Sequence, residues 1–209
     1  MFTRLSRCGA PAALAIAVLA SGCGGSAASP GTYGAQASSL VSSTSGAAAL
    51  APDANAAATG DIPDTQHFLP FHDRALGFSM VYPEGWAVRA LKNAVTFQDI
   101  NNLIRIEIAS GGPPTPAAVR AQLASLKATS PSLTAGVARR VTLPSGPAVK
   151  ITYTTQSAQN PVTGKRVTLM VDRYELARAG RVATVDLGTP VGVDNVDAYK
   201  KMIGSFRWG

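Results

Sequence analysis

Nine residues constrain the fold of this chain more than any others. From Asn102 to Ser110 (NLIRIEIAS), Ile104, Ile106 and Ile108 alternate with Arg105, Glu107 and Ala109. Period two is the period of a strand, because successive side chains point to opposite sides of the pleat. One side is therefore apolar and seeks cover, while Arg105 and Glu107 lie on the solvated side. A strand of this kind belongs in a sheet covered by other elements on its apolar face.

Upstream, Gly77–Tyr82 (GFSMVY) and Asn93–Gln98 (NAVTFQ) read as two more strands. Between them Pro83-Glu84-Gly85-Trp86 is a turn, followed by a short extended run to Leu91, with Trp86 turned back into the core. Thr115–Thr129 reads as a helix: Thr115 is placed to cap it and Pro116 sits at its first position, where the missing N–H costs nothing. Val119, Leu123 and Leu126 give it an apolar stripe, and Pro131 closes it. Four strand candidates follow: Val137–Leu143, Pro147–Thr155, Arg166–Leu176 and Arg181–Leu187. Turns at Pro144-Ser145-Gly146 and Ala179-Gly180 join two of the pairs, and a longer loop through Asn160-Pro161 and Gly164 joins the third. Short Gly-bearing connections favour antiparallel hairpins. A last helix begins at Asp194, with Asp197 as a capping-box-like partner and Val196, Tyr199, Met202, Ile203 and Phe206 as its apolar face. Strands, helix, strands, helix in this order predict an α+β fold, a largely antiparallel sheet with helices packed on it.

Composition bears on where folding starts. Residues 24–60 are almost all Ala, Ser, Gly and Thr, with Asp53 as the only charge. Such residues bury too little apolar area to offset chain entropy, so residues 23–60 read as a tether and 61–209 as one globular domain. About 149 residues in that part suffice for a self-supporting core. Two of the 19 Lys and Arg (Arg4, Arg7) and one of the 12 Asp and Glu (Asp53) precede Asp61, leaving a net charge of +6 from there on. That excess favours anionic partners. No basic cluster interleaved with aromatics appears, which argues against nucleic acid.

Residues 1–22 read as a targeting segment. Arg4 and Arg7 form a basic start, and Ala12–Ala20 (AALAIAVLA) is an apolar stretch too short to span a bilayer. It ends in Leu19-Ala20-Ser21-Gly22-Cys23, which resembles the bacterial lipobox, although Ala20 holds the place where that motif prefers Leu. Cleavage before Cys23 and lipidation of its sulfur by palmitate-type acyl chains would hold the protein at a membrane surface outside the cytoplasm, the outer membrane where the organism has one. The alternative, an ordinary secretory signal cut near Ala20, leaves a free exposed thiol in an oxidising compartment. Cys8 and Cys23 are the only cysteines, so the domain has neither a disulfide nor a Cys-based metal site.

Phe78-Ser79-Met80-Val81-Tyr82-Pro83-Glu84-Gly85-Trp86 resembles the opening strand and turn of PsbP-like proteins, which include the LpqN-type lipoproteins of mycobacteria. Leu143-Pro144-Ser145-Gly146, the strand Asp172–Leu176 and the closing Ser205-Phe206-Arg207-Trp208 are also similar, so the likeness runs from about Phe68 to Trp208. It implies an αβα sandwich and a protein that binds or assembles other proteins without being an enzyme.

Candidate chemistry is sparse, and no catalytic or cofactor motif is expected. His67 and His72, beside Asp73, lack a third metal ligand nearby. There is no G-x-S-x-G elbow for a hydrolase. Gly188-Thr189-Pro190-Val191-Gly192 lacks the lysine of a phosphate loop and reads as a connection. Asp99 with Asn101 and Asn102 is thin for calcium. Arg139-Arg140, Lys165-Arg166 and Lys200-Lys201 offer an anionic-surface patch or a solvated scatter. Thr152, Thr154, Thr168 and Asp186 are candidates for an open polar sheet face. The leading expectation is a membrane-anchored, non-catalytic binding module for another envelope protein or an anionic envelope polymer. A lipid or small-ligand carrier comes second and a cell-envelope hydrolase third.

Overall fold

The computed structural model describes residues 60–160 and 163–209. Cys23, the targeting segment and the tether up to residue 59 lie outside the described residues, as does Pro161. Among the described residues, eleven strands and two helices follow one another as β1 (Phe68–Asp73), β2 (Phe78–Pro83), β3 (Ala87–Ala90), β4 (Ala94–Asp99), β5 (Asn102–Ser110), α1 (Pro116–Thr129), β6 (Thr134–Ala135), β7 (Arg139–Leu143), β8 (Gly146–Gln156), β9 (Thr168–Arg178), β10 (Arg181–Pro190), α2 (Val196–Ser205) and β11 (Arg207–Trp208).

All strand pairs are antiparallel. The large sheet runs β3-β4-β5-β10-β9-β8, with β6 and β7 end to end along the outer edge of β8, and a small sheet runs β1-β2-β11. The alternating strand β5 sits between β4 and β10, with Ile106 opposite both Val95 and Val185. Its isoleucines, together with Val95, Phe97, Val185 and Leu187, form one face of the large sheet and are buried under α2 and the small sheet. Tyr199, Met202, Ile203 and Phe206 close that layer, with Phe206 stacked on Phe78 at 5.7 Å. Trp86 is buried in this core as its turn predicts.

The opposite face is covered only over β8 and β9. There α1 sets Val119 and Leu123 against Val149, Ile151, Tyr153, Leu169 and Val171. The expected α+β architecture, helices packed on antiparallel sheet, is the observed one. Thr115 caps α1 as its sequence predicts, its Oγ1 accepting from the Ala118 N–H at 3.2 Å.

Four local readings differ. β1 is not among the strands read from the sequence, yet pairing with β2 makes it one. Leu126 is not part of a buried stripe: only Val119 and Leu123 of α1 are buried, and Leu126 is 39% exposed. Val137 precedes its strand rather than starting it. Asp197 does not box the start of α2. It pairs with Lys200 at 3.1 Å, and Asp194 Oδ1 takes the Val196 N–H at 3.2 Å instead.

The domain is also tied at its beginning. Gly60 is buried with φ of +103°, where a side chain would meet Asn102. Its carbonyl accepts from Asn102 Nδ2 at 2.6 Å and Asn195 Nδ2 at 3.0 Å, while Asn195 Oδ1 accepts from the Ile62 N–H at 2.8 Å. No helix among the described residues is long and apolar enough to cross a membrane.

Candidate binding site

Residues that face the core on β10 face a pocket where β9 and β8 extend beyond the cover of α2. On that face β8 contributes Lys150, β9 contributes Met170, Asp172 and Tyr174, and β10 contributes Leu187 and Thr189. Val193, Asn195, Val196 and Tyr199 close the other wall from the start of α2 and the loop before it, around a volume of about 170 Å³. That is the size of one side chain rather than of a drug-sized ligand, for which pockets run to about 300–1,000 Å³.

The polar floor is self-satisfied. Lys150 Nζ lies 2.7 Å from Asp172 Oδ2, and Thr152 Oγ1 donates to Asp172 Oδ1. Lys150 also sits over the Tyr174 ring, 5.2 Å from its centre. Burial alone lowers the pKa of Lys150, but hydrogen bonds to and the charges of Asp172 and Tyr174 outweigh it and hold the ammonium above its usual range. Tyr199 donates its hydroxyl to the Gly188 carbonyl at 2.7 Å, and burial drives its pKa up. Asn195 Nδ2 is within 2.8 Å of Thr189 Oγ1 and 3.1 Å of Asn102 Oδ1. The rim is mostly apolar, with Lys200 at its edge: Met170 is 40% and Val196 51% exposed, with Val191 beside them in an adjoining groove with Val167, Thr168 and Pro190.

A second polar cluster lies on the other face of the same strands. Arg173 makes two 2.7 Å bonds to Asp186 and stands over the Tyr153 ring at 5.6 Å. Burial, then the Asp186 charge, push Tyr153 up to about 12 against the opposing effect of Arg173. Glu175 is 2% exposed, and Gln122 of α1 donates to its Oε2 at 3.5 Å, while Oε1 has no partner. Burial raises the pKa of Glu175 more than the Arg173 charge lowers it.

The sequence candidates distribute as follows. Thr152, Thr154 and Thr168 share the pocket face, but Asp186 does not: it pairs in register with Arg173, and the strict alternation of the strands puts both on the α1 face. Asn102 is buried in the Gly60 network and so is not an exposed cation ligand, and Gly188, Thr189 and Pro190 are the end of β10. Arg139-Arg140, Lys165-Arg166 and Lys200-Lys201 lie on β7, on the β8–β9 loop and on α2, three places rather than one patch.

His67 and His72 are both exposed and five residues of extended chain apart, on opposite sides of the strand and roughly 16 Å from each other. His72 does face Ser79 across the β1–β2 pair, but Asp73 points to the other side, where it takes the Leu76 N–H at 2.8 Å. No group of three or more metal-ligating side chains occurs among the described residues. Sequence reasoning missed Lys150, Asp172, Arg173 and Glu175. The available signal was the run of charges inside the otherwise apolar β9, where a central strand keeps a charge only if it is paired.

An antiparallel sheet between a helix on one face and a helix with a small sheet on the other defines a class of folds, and solved structures place the chain within it. The solution structure of cyanobacterial PsbP (CyanoP) from Synechocystis sp. PCC 6803 matches 72% of this chain and 98% of its own length, at 16% identity and a TM-score of 0.52. The fold is therefore PsbP-like. The Saccharomyces cerevisiae Ran-binding protein Mog1p is also similar, with 68% of this chain and 95% of that chain covered, 8% identity and a TM-score of 0.49. No family model matches the sequence, and the comparison with curated proteins finds no match.

Proposed function

We propose that this chain is an extracytoplasmic lipoprotein, anchored through Cys23, whose PsbP-like domain is a non-catalytic binding module for another envelope protein. The observation that carries this reading is the pocket beside α2. It has a mostly apolar rim and a single-side-chain volume, and its ionisable floor residues are already consumed by pairing with one another. A general base must have a lone pair free to reach a substrate proton. Asp172 is held by Lys150 and Thr152, and the Tyr199 hydroxyl by Gly188. Such a pocket receives an apolar anchor residue of a partner better than it transforms a substrate.

The carrier reading needs an apolar cavity between α1 and the sheet. That space is filled by Val119 and Leu123 packed on Ile151, Leu169 and Val171. The hydrolase reading needs a histidine placed in a cleft with a nucleophile and an orienting carboxylate, and the Asp73 carboxylate is turned away from His72.

The test is site-specific photo-crosslinking in the native envelope from positions 170 and 196, with position 124 on α1 as a distant control. A discrete adduct formed from 170 and 196, and abolished by Val193→Trp at the half-buried wall of the pocket, is the expected result. Adducts of equal yield from all three positions would sink the pocket as the binding site. The double variant His67→Ala, His72→Ala should keep the adduct, and its loss with unchanged stability would favour the hydrolase instead.

A further inference from the structure

Half of the domain's net charge of +6 is gathered in the turns at one end of the large sheet. In its middle most charges are paired: Lys150 with Asp172, Arg173 with Asp186, Arg105 with Glu107. Three turns meet at the end opposite Gly60. Arg181 follows the β9–β10 turn and donates to the Leu76 carbonyl at 3.1 Å, which ties the β1–β2 turn to it. Gly111 N–H donates to Gly180 O at 2.9 Å, and Ile108 N–H to Asn93 O at 2.9 Å, which brings the end of β5 and the β3–β4 turn to the same level. These turns carry Arg74, Lys92, Arg178 and Arg181, and their one carboxylate, Asp73, is spent on the Leu76 N–H. The side chains of Arg74, Lys92 and Arg178 are exposed and have no partner among the described residues.

The end that carries Gly60 is different. Asp61, Asp64, Glu84, Asp99, Asp194 and Asp197 there offset Lys127, Lys165, Arg166, Lys200 and Lys201. Beside the basic end, a surface concavity of about 370 Å³ is walled by Pro113, Pro114 and Pro147 and lined by Thr142 and by Arg140, a further cation without a partner among the described residues.

We propose that this basic end docks a polyanion, a polymer carrying repeated carboxylate or phosphate groups. Strands lie ~4.8 Å apart, so Lys92 and Arg178 are roughly 15 Å apart across the sheet, too far to converge on one small anion. A chain of anions spans them, and its attraction adds over the free cations without breaking any existing ion pair. A flat lipid surface fits less well, because the concavity beside Arg140 has no use for it and the polypeptide joins the domain at the other end. This surface is separate from the pocket beside α2 and stands or falls without it.

The experiment uses the chain from residue 23 onward with Cys23→Ser, so that no acyl chain contributes, and measures binding to poly-glutamate, to inorganic polyphosphate and to phosphatidylglycerol vesicles. The triple variant Arg74→Ser, Lys92→Ser, Arg178→Ser should bind polymer at least about tenfold more weakly. The charge-matched variant Lys127→Ser, Lys165→Ser, Lys201→Ser should stay within about twofold of the parent. Binding should collapse at high salt, and preference for one polymer tells carboxylate from phosphate. Equal loss in both triple variants, no polymer binding at low salt, or stronger binding to the vesicles overturns the proposal.

Discussion

Ile100 occupies the left-handed region at φ of 46°, in the two-residue turn between β4 and β5, and it is 52% exposed. For a β-branched residue this conformation costs about 1–2 kcal/mol, because Cβ crowds the following carbonyl. Nothing packs over it that repays the strain, so Ile100→Asn should stabilise the domain by about 1 kcal/mol, measured by chemical denaturation. Glu175 is strained electrostatically. Its raised pKa means that the folded state binds a proton more readily than the unfolded one. The contribution to stability is therefore complete below the ordinary glutamate range and is lost as pH rises through the folded value. Glu175→Gln should accordingly raise the melting temperature at pH 7 and leave it unchanged near pH 4. A gain of equal size at both pH values would show that shape, not charge, is responsible.

Among the elements, α1 is held by few buried side chains. Only Val119 and Leu123 of its fourteen residues are buried, so two side chains carry most of its docking. Leu123→Ala should cost about 2–5 kcal/mol and Thr115→Ala about 1 kcal/mol, read from urea midpoints. Hydrogen exchange should find α1 opening well below the free energy that protects β5 and β10. At the start of α2 the reverse holds. Asn195 caps no N–H of its own helix, since its amide joins Gly60, Ile62, Asn102 and Thr189 instead. Removing it strands several buried polar groups, at about 1–3 kcal/mol for each. Asn195→Ala and Asn102→Ala should each destabilise, and the double variant by clearly less than the sum. Strict additivity would mean the network is not a unit. The capping-box reading of Asp194 and Asp197 held only for its first half: Asp194 Oδ1 takes the Val196 N–H, while Asp197 is drawn to Lys200 one turn on and does not reach back.

For the protein as a whole, anchoring is the reading that most needs a direct test, since Cys23 lies outside the described residues. Cys23→Ser should abolish fatty-acid labelling and release the protein from the membrane fraction; retention with label would remove the lipoprotein proposal. Much of the architecture needed no structure. The alternation of β5, the Pro116 start of α1, the Ala179-Gly180 turn and the apolar stripe of α2 are local patterns, enforced by pleat, helix pitch and turn sterics wherever they occur. They determined the order of elements and the α+β class. What tertiary structure alone decided was which of two possible faces a strand buries, and against what. Lys150 and Asp172, or Arg173 and Asp186, are distant in sequence and anonymous there; only the register of β8, β9 and β10 makes them pairs, separates Asp186 from the threonines and leaves a pocket beside α2. A one-residue slip in that register would exchange every face, because side chains alternate with period two, and no local pattern in β9, apolar on both sides and charged on both, specifies it.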